Sequence, residues 1–342
     1  MKAIQFFEHG DKHVLQFTTN CEKPSPGKGE VLIHNHASSV NRIDQVARVG
    51  YPGIPVKLPH ILGGDVCGVI EEFGEGVEGF ERGQRVLVYP LVWCGECPLC
   101  LQGDTNLCIN WQYIGLHRNG GYAEYLTVPA DNCILLPENI SFEAGAAIPV
   151  AGITAYHGLK TVGELNSGQV FFMWGGAGGV GTWAIQIAKQ LGVTVIATAS
   201  SDEKLELMRQ LGADHVINRT TEDVAARVKQ FAPFGVDLAL DYVGPATFGT
   251  TFDLIKKGGK ILLCGILTGR EATVSLHMTY LKHISIRGLY LGTIDEMRQI
   301  VEMVSTEKIN SHIGEVMDLK DAAQAHEKLE NGDIIGKLIL KI

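Results

Sequence analysis

Residues 169–181 read QVFFMWGGAGGVG. The first six are apolar or uncharged, which suits a strand buried on both faces of a parallel sheet. The loop after them contains the pattern G-x-G-x-x-G as Gly176, Gly178 and Gly181, and an amphipathic segment over 180–191 follows. A strand, a glycine-rich turn and a helix in this order predict a dinucleotide-binding loop. A glycine-rich turn without a ligand is the alternative.

The three glycines have different roles in such a loop. Gly176 makes the tight turn, Gly178 lets a pyrophosphate approach the backbone, and Gly181 lets the helix pack on the strand. The N-terminus of the helix supplies free N–H groups and a favourable dipole for the anion. The expected contacts of the cofactor with this loop are therefore Gly176, Ala177, Gly178, Gly179, Val180 and Gly181.

The pattern of apolar segments and Gly/Pro breaks along the sequence predicts two domains. From about 151 to 292, apolar strands such as VTVIATAS, HVIN and KILLCGIL alternate with helical segments such as DEKLELMRQLG and FDLIKKGG. This alternation of strands and helices predicts a doubly wound parallel sheet. Residues 1–150 contain short β-like runs broken by Gly and Pro, which favours a compact antiparallel or barrel-like domain. In the tail, 293–342, two helical segments precede the strand GKLILKI, and we expect this tail to rejoin the first domain.

The end of VTVIATAS bears on which dinucleotide is bound. A carboxylate at this position would hold the ribose 2′-hydroxyl of NAD, but the strand ends at Ser200 and Ser201, with Lys204 close behind. Hydroxyls and an ammonium suit a 2′-phosphate, so NADP is predicted, with these three residues as contacts. The alternatives are that Ser200 only caps a helix, that Lys204 is solvated, or that Asp202 reaches the ribose of NAD.

Four of the eight cysteines lie within fifteen residues as Cys94, Cys97, Cys100 and Cys108. Four thiolates form a closed tetrahedral zinc site without an open position, so the predicted zinc is structural. Four metal-free thiols are the alternative. A tight cluster in a long chain whose first residues lack a signal-peptide pattern is typical of a reducing compartment, and we expect a cytoplasmic protein.

Charge and hydropathy narrow the class of partner. The net charge of -9, without a Lys/Arg block, argues against nucleic acid. The least polar stretch, 144–159, is too short to span a bilayer. A small-molecule substrate is the remaining expectation.

Taken together, the chain resembles the medium-chain dehydrogenase/reductase superfamily over nearly its whole length. The resemblance rests on GEVLIHNHASSVNRID, LGGDVCGVI, GVEGFERGQRVLV, the cysteine cluster, GGYAEY, AAIPVAGITAY, GGAGGVG, DYVG and GKLIL. It implies a GroES-like substrate domain (1–150 and 293–342), a Rossmann domain (151–292) and a cleft between them. It also implies a homodimer or homotetramer joined through the Rossmann sheet, by the strand HISIRGLYLG. Further cofactor contacts implied by the resemblance are Thr154, Gly244, Gly265 and Lys337, although Lys337 is equally well explained as a solvated lysine.

Zinc alcohol dehydrogenases of this superfamily hold a catalytic metal at positions that match Asn41, Gly64 and a third position near Val150 here, with Asp65 after the second. None of these three is a good zinc ligand. The pattern N-x-x-D-x-x-x-R-x-G, formed by Asn41, Asp44, Arg48 and Gly50, resembles the quinone oxidoreductase branch instead. The chain therefore combines a quinone-reductase-like site with the structural zinc lobe of alcohol dehydrogenases.

A site without a metal is better matched to acceptors that spread the incoming charge over a conjugated system. We therefore predict hydride transfer from NADPH to a quinone or an α,β-unsaturated carbonyl compound, with Asn41 and Asp44 orienting the reactants and Tyr51 or solvent giving the proton. Asn41 is also explained by a turn, Asp44 by pairing with Arg42 or Arg48, and Tyr51 by a surface loop.

Two alternatives of another class remain. In the first, His34 and His36, with His60 or Cys67, hold a relocated catalytic zinc of an alcohol dehydrogenase. In the second, the chain binds NADPH without catalysis.

Overall fold

A computed structural model describes residues 1–50, 53 and 55–342. These residues form two compact units, one of Met1–Val150 with Thr293–Ile342 and one of Ala151–Gly292. None of the helices in the described part of the chain combines the length and the apolar character that crossing a bilayer requires.

The strands are, in chain order, β1 (Ala3–Gln5), β2 (Gln16–Thr18), β3 (Glu30–Ser39), β4 (Asp65–Phe73), β5 (Arg85–Val88), β6 (Leu91–Val92), β7 (Gln112–Tyr113), β8 (Tyr125–Pro129), β9 (Cys133–Leu135), β10 (Val170–Met173), β11 (Thr194–Ala199), β12 (His215–Asn218), β13 (Val236–Asp241), β14 (Ile255–Leu263), β15 (Ser285–Gly288), β16 (Ile313–Asp318) and β17 (Lys337–Lys341).

The α-helices are α1 (Arg42–Val49), α2 (Pro98–Leu101), α3 (Phe142–Ala146), α4 (Pro149–Tyr156), α5 (Gly179–Gln190), α6 (Asp202–Gln210), α7 (Val224–Phe231), α8 (Pro245–Leu254), α9 (Leu276–Lys282), α10 (Ile294–Ser305) and α11 (Ala322–Asn331). A π-helical turn, His157–Val162, extends α4, and short 3-10 turns cover Lys12–Val14, Thr105–Leu107, Ala130–Asn132 and Leu319–Asp321.

The second unit contains the predicted parallel sheet. Its strand order is β12-β11-β10-β13-β14-β15, and each neighbouring pair is parallel. Phe172 on β10 and Ile196 on β11 are fully buried within its core, as expected for strands covered on both faces. The chain reverses its direction across the sheet between β10 and β13, and ligands of such sheets bind outside the carboxyl ends of the strands at this point.

One predicted helix begins and ends earlier than expected. The helix assigned to FDLIKKGG ends at Leu254, and β14 begins at Ile255. Ile255 pairs with Val236 and is 1% exposed, so burial against β13 overrides the local helical pattern. Gly258 adopts a φ of 75°, which an α-helix does not permit.

The first unit is built on a largely antiparallel sheet of order β16-β17-β3-β4-β5-β9, to which β8 adds by pairing with β3. β3 is the central strand, and register shifts in its pairing with β4 bend the ladder. The C-terminal strand β17 pairs antiparallel with β3, opposing Ile339 to Ser39. The tail therefore belongs to the sheet of the first unit.

Candidate active site

A buried group of polar side chains lies at one end of β3 in the first unit. Asn41 precedes α1, Asp44 lies in the first turn of α1, Asp65 begins β4 and Lys337 begins β17. Because β3 pairs with both β4 and β17, the start of each strand is brought beside Ser39. All five side chains are buried, with exposures between 0% and 8%.

Asp65 is the centre of this group. Its Oδ2 accepts hydrogen bonds from Asn41 Nδ2 at 2.8 Å, from Lys337 Nζ at 3.2 Å and from Ser39 Oγ. Its Oδ1 accepts from the backbone N–H of Val150 at 2.9 Å. A carboxylate with four donors is well satisfied, as a buried charge must be.

Lys337 is bound inside this group. Its ammonium donates to Asn41 Oδ1 at 2.6 Å and is 3% exposed. The interpretation of Lys337 as a solvated lysine is therefore wrong. Its expected contact with a cofactor phosphate stays a prediction. The side chain of Asn41 binds Asp65 and Lys337 at once, so it does more than complete a turn.

Asp44 is held by a different set of donors. Its Oδ2 accepts from Asn41 N at 2.8 Å and Tyr122 Oη at 3.2 Å, and its Oδ1 accepts from Gly63 N at 3.2 Å. Burial raises the pKa of Asp44 to about 7, and the charge of Asp65 adds to this, while the two backbone N–H groups and Lys337 oppose it. Asp44 is thus a buried carboxyl group poised to titrate near neutral pH.

The alternative that Asp44 pairs with a neighbouring arginine is wrong. Arg42 binds Gln45 at 3.0 Å, and Arg48 binds Glu330 at 2.6 Å. Tyr51, the third predicted catalytic residue, lies outside the described residues.

The resemblance matches Gly64 to a histidine ligand of zinc alcohol dehydrogenases, and in this structure the phenol of Tyr113 fills the space beside Gly64. A Cβ added to Gly64 would lie 2.3 Å from Tyr113 Oη and 2.6 Å from its Cζ. Tyr113 is 2% exposed and is anchored because β7 pairs with β6. No side chain fits at position 64 unless Tyr113 moves.

The four cysteines of the predicted zinc lobe converge. Their sulfur atoms all lie within 4.8 Å of one another. Cys97 Sγ and Cys100 Sγ are 3.4 Å apart, and Cys94 Sγ and Cys108 Sγ are 3.5 Å apart. The backbone N–H of Asn110 donates to Cys108 Sγ at 3.4 Å. The donor set fits a tetrahedral zinc ion.

The same four residues are the one group of three or more His, Cys, Asp or Glu donors that the described part of the chain assembles for a metal. The rings of His34 and His36 stack on Tyr125 and Phe142 respectively. This geometry gives no support to a relocated catalytic zinc at His34 and His36.

In the second unit the glycine loop has the geometry of a phosphate cradle. A Cβ at Gly176 would lie 2.5 Å from Met208 Sδ, and one at Gly181 would lie 2.5 Å from the Gly176 carbonyl oxygen. A Cβ at Gly178 would meet nothing nearer than 3.4 Å. Gly176 and Gly181 are therefore needed for packing, whereas the backbone at Gly178 is open to a ligand. The loop leads into α5, whose first N–H groups lack partners within the helix.

The carboxyl ends of the neighbouring strands hold further predicted contacts. Gly244 adopts a φ of 96° after β13, and a Cβ at Gly265 after β14 would lie 2.8 Å from the Tyr242 carbonyl oxygen. Tyr242 Oη donates to the Gly175 carbonyl oxygen at 2.6 Å and so ties β13 to the glycine loop. Thr154 is buried in α4. The sheet thus gathers the loop, Gly244 and Gly265 at one edge.

At the end of β11, Ser201 rather than Ser200 caps α6, because Ser201 Oγ accepts from Lys204 N at 3.4 Å. No carboxylate occupies the tip of the strand, and Asp202 is already the first residue of the helix.

The sequence analysis did not single out Arg219 as a candidate contact of the cofactor. Arg219 is exposed and directly follows β12. Its backbone N–H donates to the Ala199 carbonyl oxygen at 2.9 Å. Its position after a strand that neighbours β11 was the available signal.

The sequence analysis also did not single out three residues that line or support the polar site, Tyr113, Tyr122 and His326. The motif GGYAEY contains Tyr122, but its spacing does not reveal that Tyr122 reaches Asp44. No pattern signals that His326, on α11, contacts Tyr122 from 204 positions away.

Comparisons with known proteins agree with this architecture. Residues 27–138 match the alcohol dehydrogenase GroES-like domain, and residues 179–306 match the zinc-binding dehydrogenase domain. An alcohol dehydrogenase of Geobacillus stearothermophilus is 36% identical over 94% of each chain. A quinone oxidoreductase of Sus scrofa is 30% identical over 99% of this chain and 97% of its own. A solved NAD-dependent alcohol dehydrogenase has a TM-score of 0.96 and 34% identity over 100% of both chains.

Proposed function

The chain belongs to the medium-chain dehydrogenase/reductase superfamily of NAD(P)-dependent oxidoreductases, and we propose that it transfers hydride from NADPH to a quinone or an α,β-unsaturated carbonyl compound without a catalytic zinc. The predicted resemblance to this superfamily and the predicted fold class are confirmed. The acceptor class, the choice of NADP and the absence of a catalytic zinc are the proposal.

The contact of Lys337 Nζ with Asn41 Oδ1 and Asp65 Oδ2 carries this proposal. Asn41 and Asp65 match positions that surround the catalytic metal in zinc alcohol dehydrogenases, and here they bind an ammonium. Gly64 has no side chain, and Val150 takes part through its backbone N–H. Neither Gly64 nor Val150 offers a donor atom that zinc prefers.

Such a site favours acceptors that delocalise negative charge. When bound, the reduced nicotinamide supplies the hydride. Hydride addition to an isolated ketone concentrates charge on one oxygen and benefits from a Lewis acid, whereas a conjugated acceptor spreads that charge over several atoms. A fixed polar environment then suffices, and here Asp65 holds the side-chain amide of Asn41 and the ammonium of Lys337 in place.

Two observations support NADP. The tip of β11 has hydroxyl side chains, Ser200 and Ser201, and lacks the carboxylate that would repel a 2′-phosphate. Arg219 adds an exposed guanidinium beside the end of this strand, because its backbone N–H binds Ala199. Arginine is well suited to phosphate.

A homodimer or homotetramer joined at β15 is also proposed. β15 ends the sheet order of the second unit, with β14 as its one partner strand among the described residues. An edge strand of this kind pairs readily with a second copy, and Leu276 and Tyr280 on α9, which precedes β15, are 79% and 67% exposed. Sedimentation equilibrium of the wild type and of Ile286→Pro tests this, and a monomeric wild type contradicts it.

Oxidation of alcohols is the second candidate, because relatives at 34–36% identity carry the name alcohol dehydrogenase. The two candidates differ in zinc content. The structural lobe alone predicts one zinc per chain, whereas a zinc-type alcohol dehydrogenase with an intact catalytic site has two.

The deciding experiment combines zinc analysis of the purified protein with a substrate panel. NADPH oxidation is measured with quinones, enones and enals, and NAD(P) reduction is measured with primary and secondary alcohols. We expect one zinc per chain and turnover with the conjugated acceptors only. Two zinc ions per chain with alcohol turnover contradict the proposal, and tight NADPH binding without any turnover favours a non-enzymatic role. Asn41→Ala is the matched active-site variant, and unchanged turnover and affinity would remove Asn41 from the site.

A further inference from the structure

A chain of buried side chains leads away from Asp44 to the edge of the first unit. Tyr122 Oη lies 3.2 Å from Asp44 Oδ2 and 3.2 Å from His326 Nε2. His326 Nδ1 lies 3.2 Å from Arg48 Nη1, and Arg48 Nη2 lies 2.6 Å from Glu330 Oε1. Tyr122, His326 and Arg48 are each at most 2% exposed, whereas Glu330 is half-buried.

The hydrogen bonds of this chain can run in one direction only. A guanidinium has donors and no acceptor, so His326 Nδ1 must accept from Arg48. Burial and the charge of Arg48 lower the pKa of His326 to about 3, so the ring is neutral and its proton is on Nε2. Nε2–H therefore donates to Tyr122 Oη, and the Tyr122 hydroxyl donates to Asp44.

We propose that Arg48, His326 and Tyr122 are positioning residues that hold Asp44 as a carboxylate, so that Asp44 can fix Asn41 and Gly63 in the candidate active site. The connection to catalysis rests on the proposed function; the hydrogen-bond chain itself does not. Asp44 joins the backbone of Asn41, before α1, to that of Gly63, next to Gly64 and Asp65. A protonated Asp44 loses acceptor strength toward both.

The hydrogen-bond chain from Arg48 to Asp44 is not a route for proton transfer from solvent. Arg48 closes its far end, because a guanidinium has donors and no acceptor. Loss of the Nε2 proton of His326 would leave an imidazolate, so this ring has no proton to pass on. The role of the hydrogen-bond chain is therefore to hold Asp44 in position and to favour its charged form.

The charged surroundings of Asp44 explain why it needs this support. Asp65 on β4 opposes its ionisation, and Lys337 on β17 favours it. Burial is the largest effect and favours the neutral form. The Tyr122 hydroxyl is the one side-chain hydrogen-bond donor to Asp44 within the described residues, so its removal shifts the balance toward protonation.

The test measures how the free energy of unfolding depends on pH, using the difference between each protein and its Asp44→Asn counterpart. In the wild type this difference changes between about pH 4 and pH 7, because the folded protein holds a proton on Asp44 that the unfolded chain releases. In Tyr122→Phe we expect the upper limit of this window to move up by about one pH unit, the effect of losing one hydrogen bond to a charged group.

Variants of His326 test the direction of the chain. His326→Gln keeps it, because the amide oxygen accepts from Arg48 and the amide NH₂ donates to Tyr122. His326→Leu breaks it. We expect the pH range of the wild type in His326→Gln and a raised upper limit of this range in His326→Leu. His60→Gln is the control, because His60 is a buried histidine outside the hydrogen-bond chain. Unshifted windows in both Tyr122→Phe and His326→Leu, or a raised window in His326→Gln, overturn the proposal.

A measurement on the unaltered protein covers the case in which His326→Leu does not fold. Imidazole ¹⁵N NMR, with His326 assigned by its loss in His326→Gln, should show a protonated Nε2 and an unprotonated Nδ1. The opposite tautomer contradicts the proposed direction. If conjugated acceptors are reduced, the pH profile of kcat/KM should shift upward in Tyr122→Phe but not in His326→Gln. If no acceptor is reduced, the proposed function fails while the unfolding and NMR results still test the chain.

Discussion

The hydroxyl of Tyr113 occupies the place that the first side-chain atom of residue 64 would need, 2.3 Å from a Cβ built on Gly64. The position that the sequence resemblance matches to a metal-binding histidine of zinc alcohol dehydrogenases is therefore closed by a neighbouring ring.

Gly64→Ala should destabilise the protein by about 1–3 kcal/mol, because the added methyl group overlaps Tyr113. Tyr113→Ala removes the overlapping atoms, so the double variant should show a favourable coupling relative to the two single variants. Urea unfolding of the four proteins measures this. Additive effects would show that Tyr113 does not restrict position 64.

Lys337→Met should cost about 3–5 kcal/mol, because it leaves Asp65 buried and without its cationic partner. Asp65→Asn combined with Lys337→Met removes both charges and should recover part of the loss. Lys341→Met, at the exposed end of the same strand, is the matched control. A Lys337→Met protein as stable as this control would show that the ammonium is dispensable.

Cys94→Ser should lower the zinc content from about one ion per chain to near zero, since three thiolates with a hydroxyl bind zinc far less well than four thiolates. Cys21→Ser, outside the cluster, should retain the metal. Zinc is measured by atomic emission, with a thermal melt of each protein. Full zinc content in Cys94→Ser would mean that the ion is bound elsewhere.

Ser200→Asp should weaken NADPH binding roughly tenfold or more and favour NADH, because a carboxylate at the tip of β11 repels a 2′-phosphate and accepts from a 2′-hydroxyl. Thr306→Asp adds the same charge at an exposed position of the other unit. Titration of cofactor fluorescence gives both dissociation constants. Unchanged preference in Ser200→Asp argues against the predicted 2′-phosphate site.

His326 should make the protein sensitive to acid. Its pKa is lowered to about 3 in the folded state by burial and by Arg48. Between this value and about 6.5 the unfolded chain binds a proton that the folded protein does not, so stability is present above pH 6.5 and falls as the pH decreases. From pH 6.5 to pH 5 the loss due to His326 is about 2 kcal/mol. In His326→Gln this part of the acid sensitivity should disappear, as unfolding at the two pH values will show.

The sequence predicted those features whose residues are close together along the chain. The glycine loop, the cysteine cluster and the alternation of strands and helices each have a local pattern, because a turn, a chelate or a buried face imposes its own spacing. The converging set of four thiols and the parallel sheet follow these patterns. The helix end at Leu254 was missed because strand pairing to Val236 overrides a local helical signal.

The chemistry of the polar site was decided by tertiary structure. Lys337 meets Asp65 from 272 positions away, and His326 meets Arg48 from 278. Sequence spacing carries no information on such contacts, because they depend on β17 and α11 returning to the first unit. A buried lysine and a solvated one look the same in a sequence; only burial, which forces each charge and polar atom to find a partner, separates them.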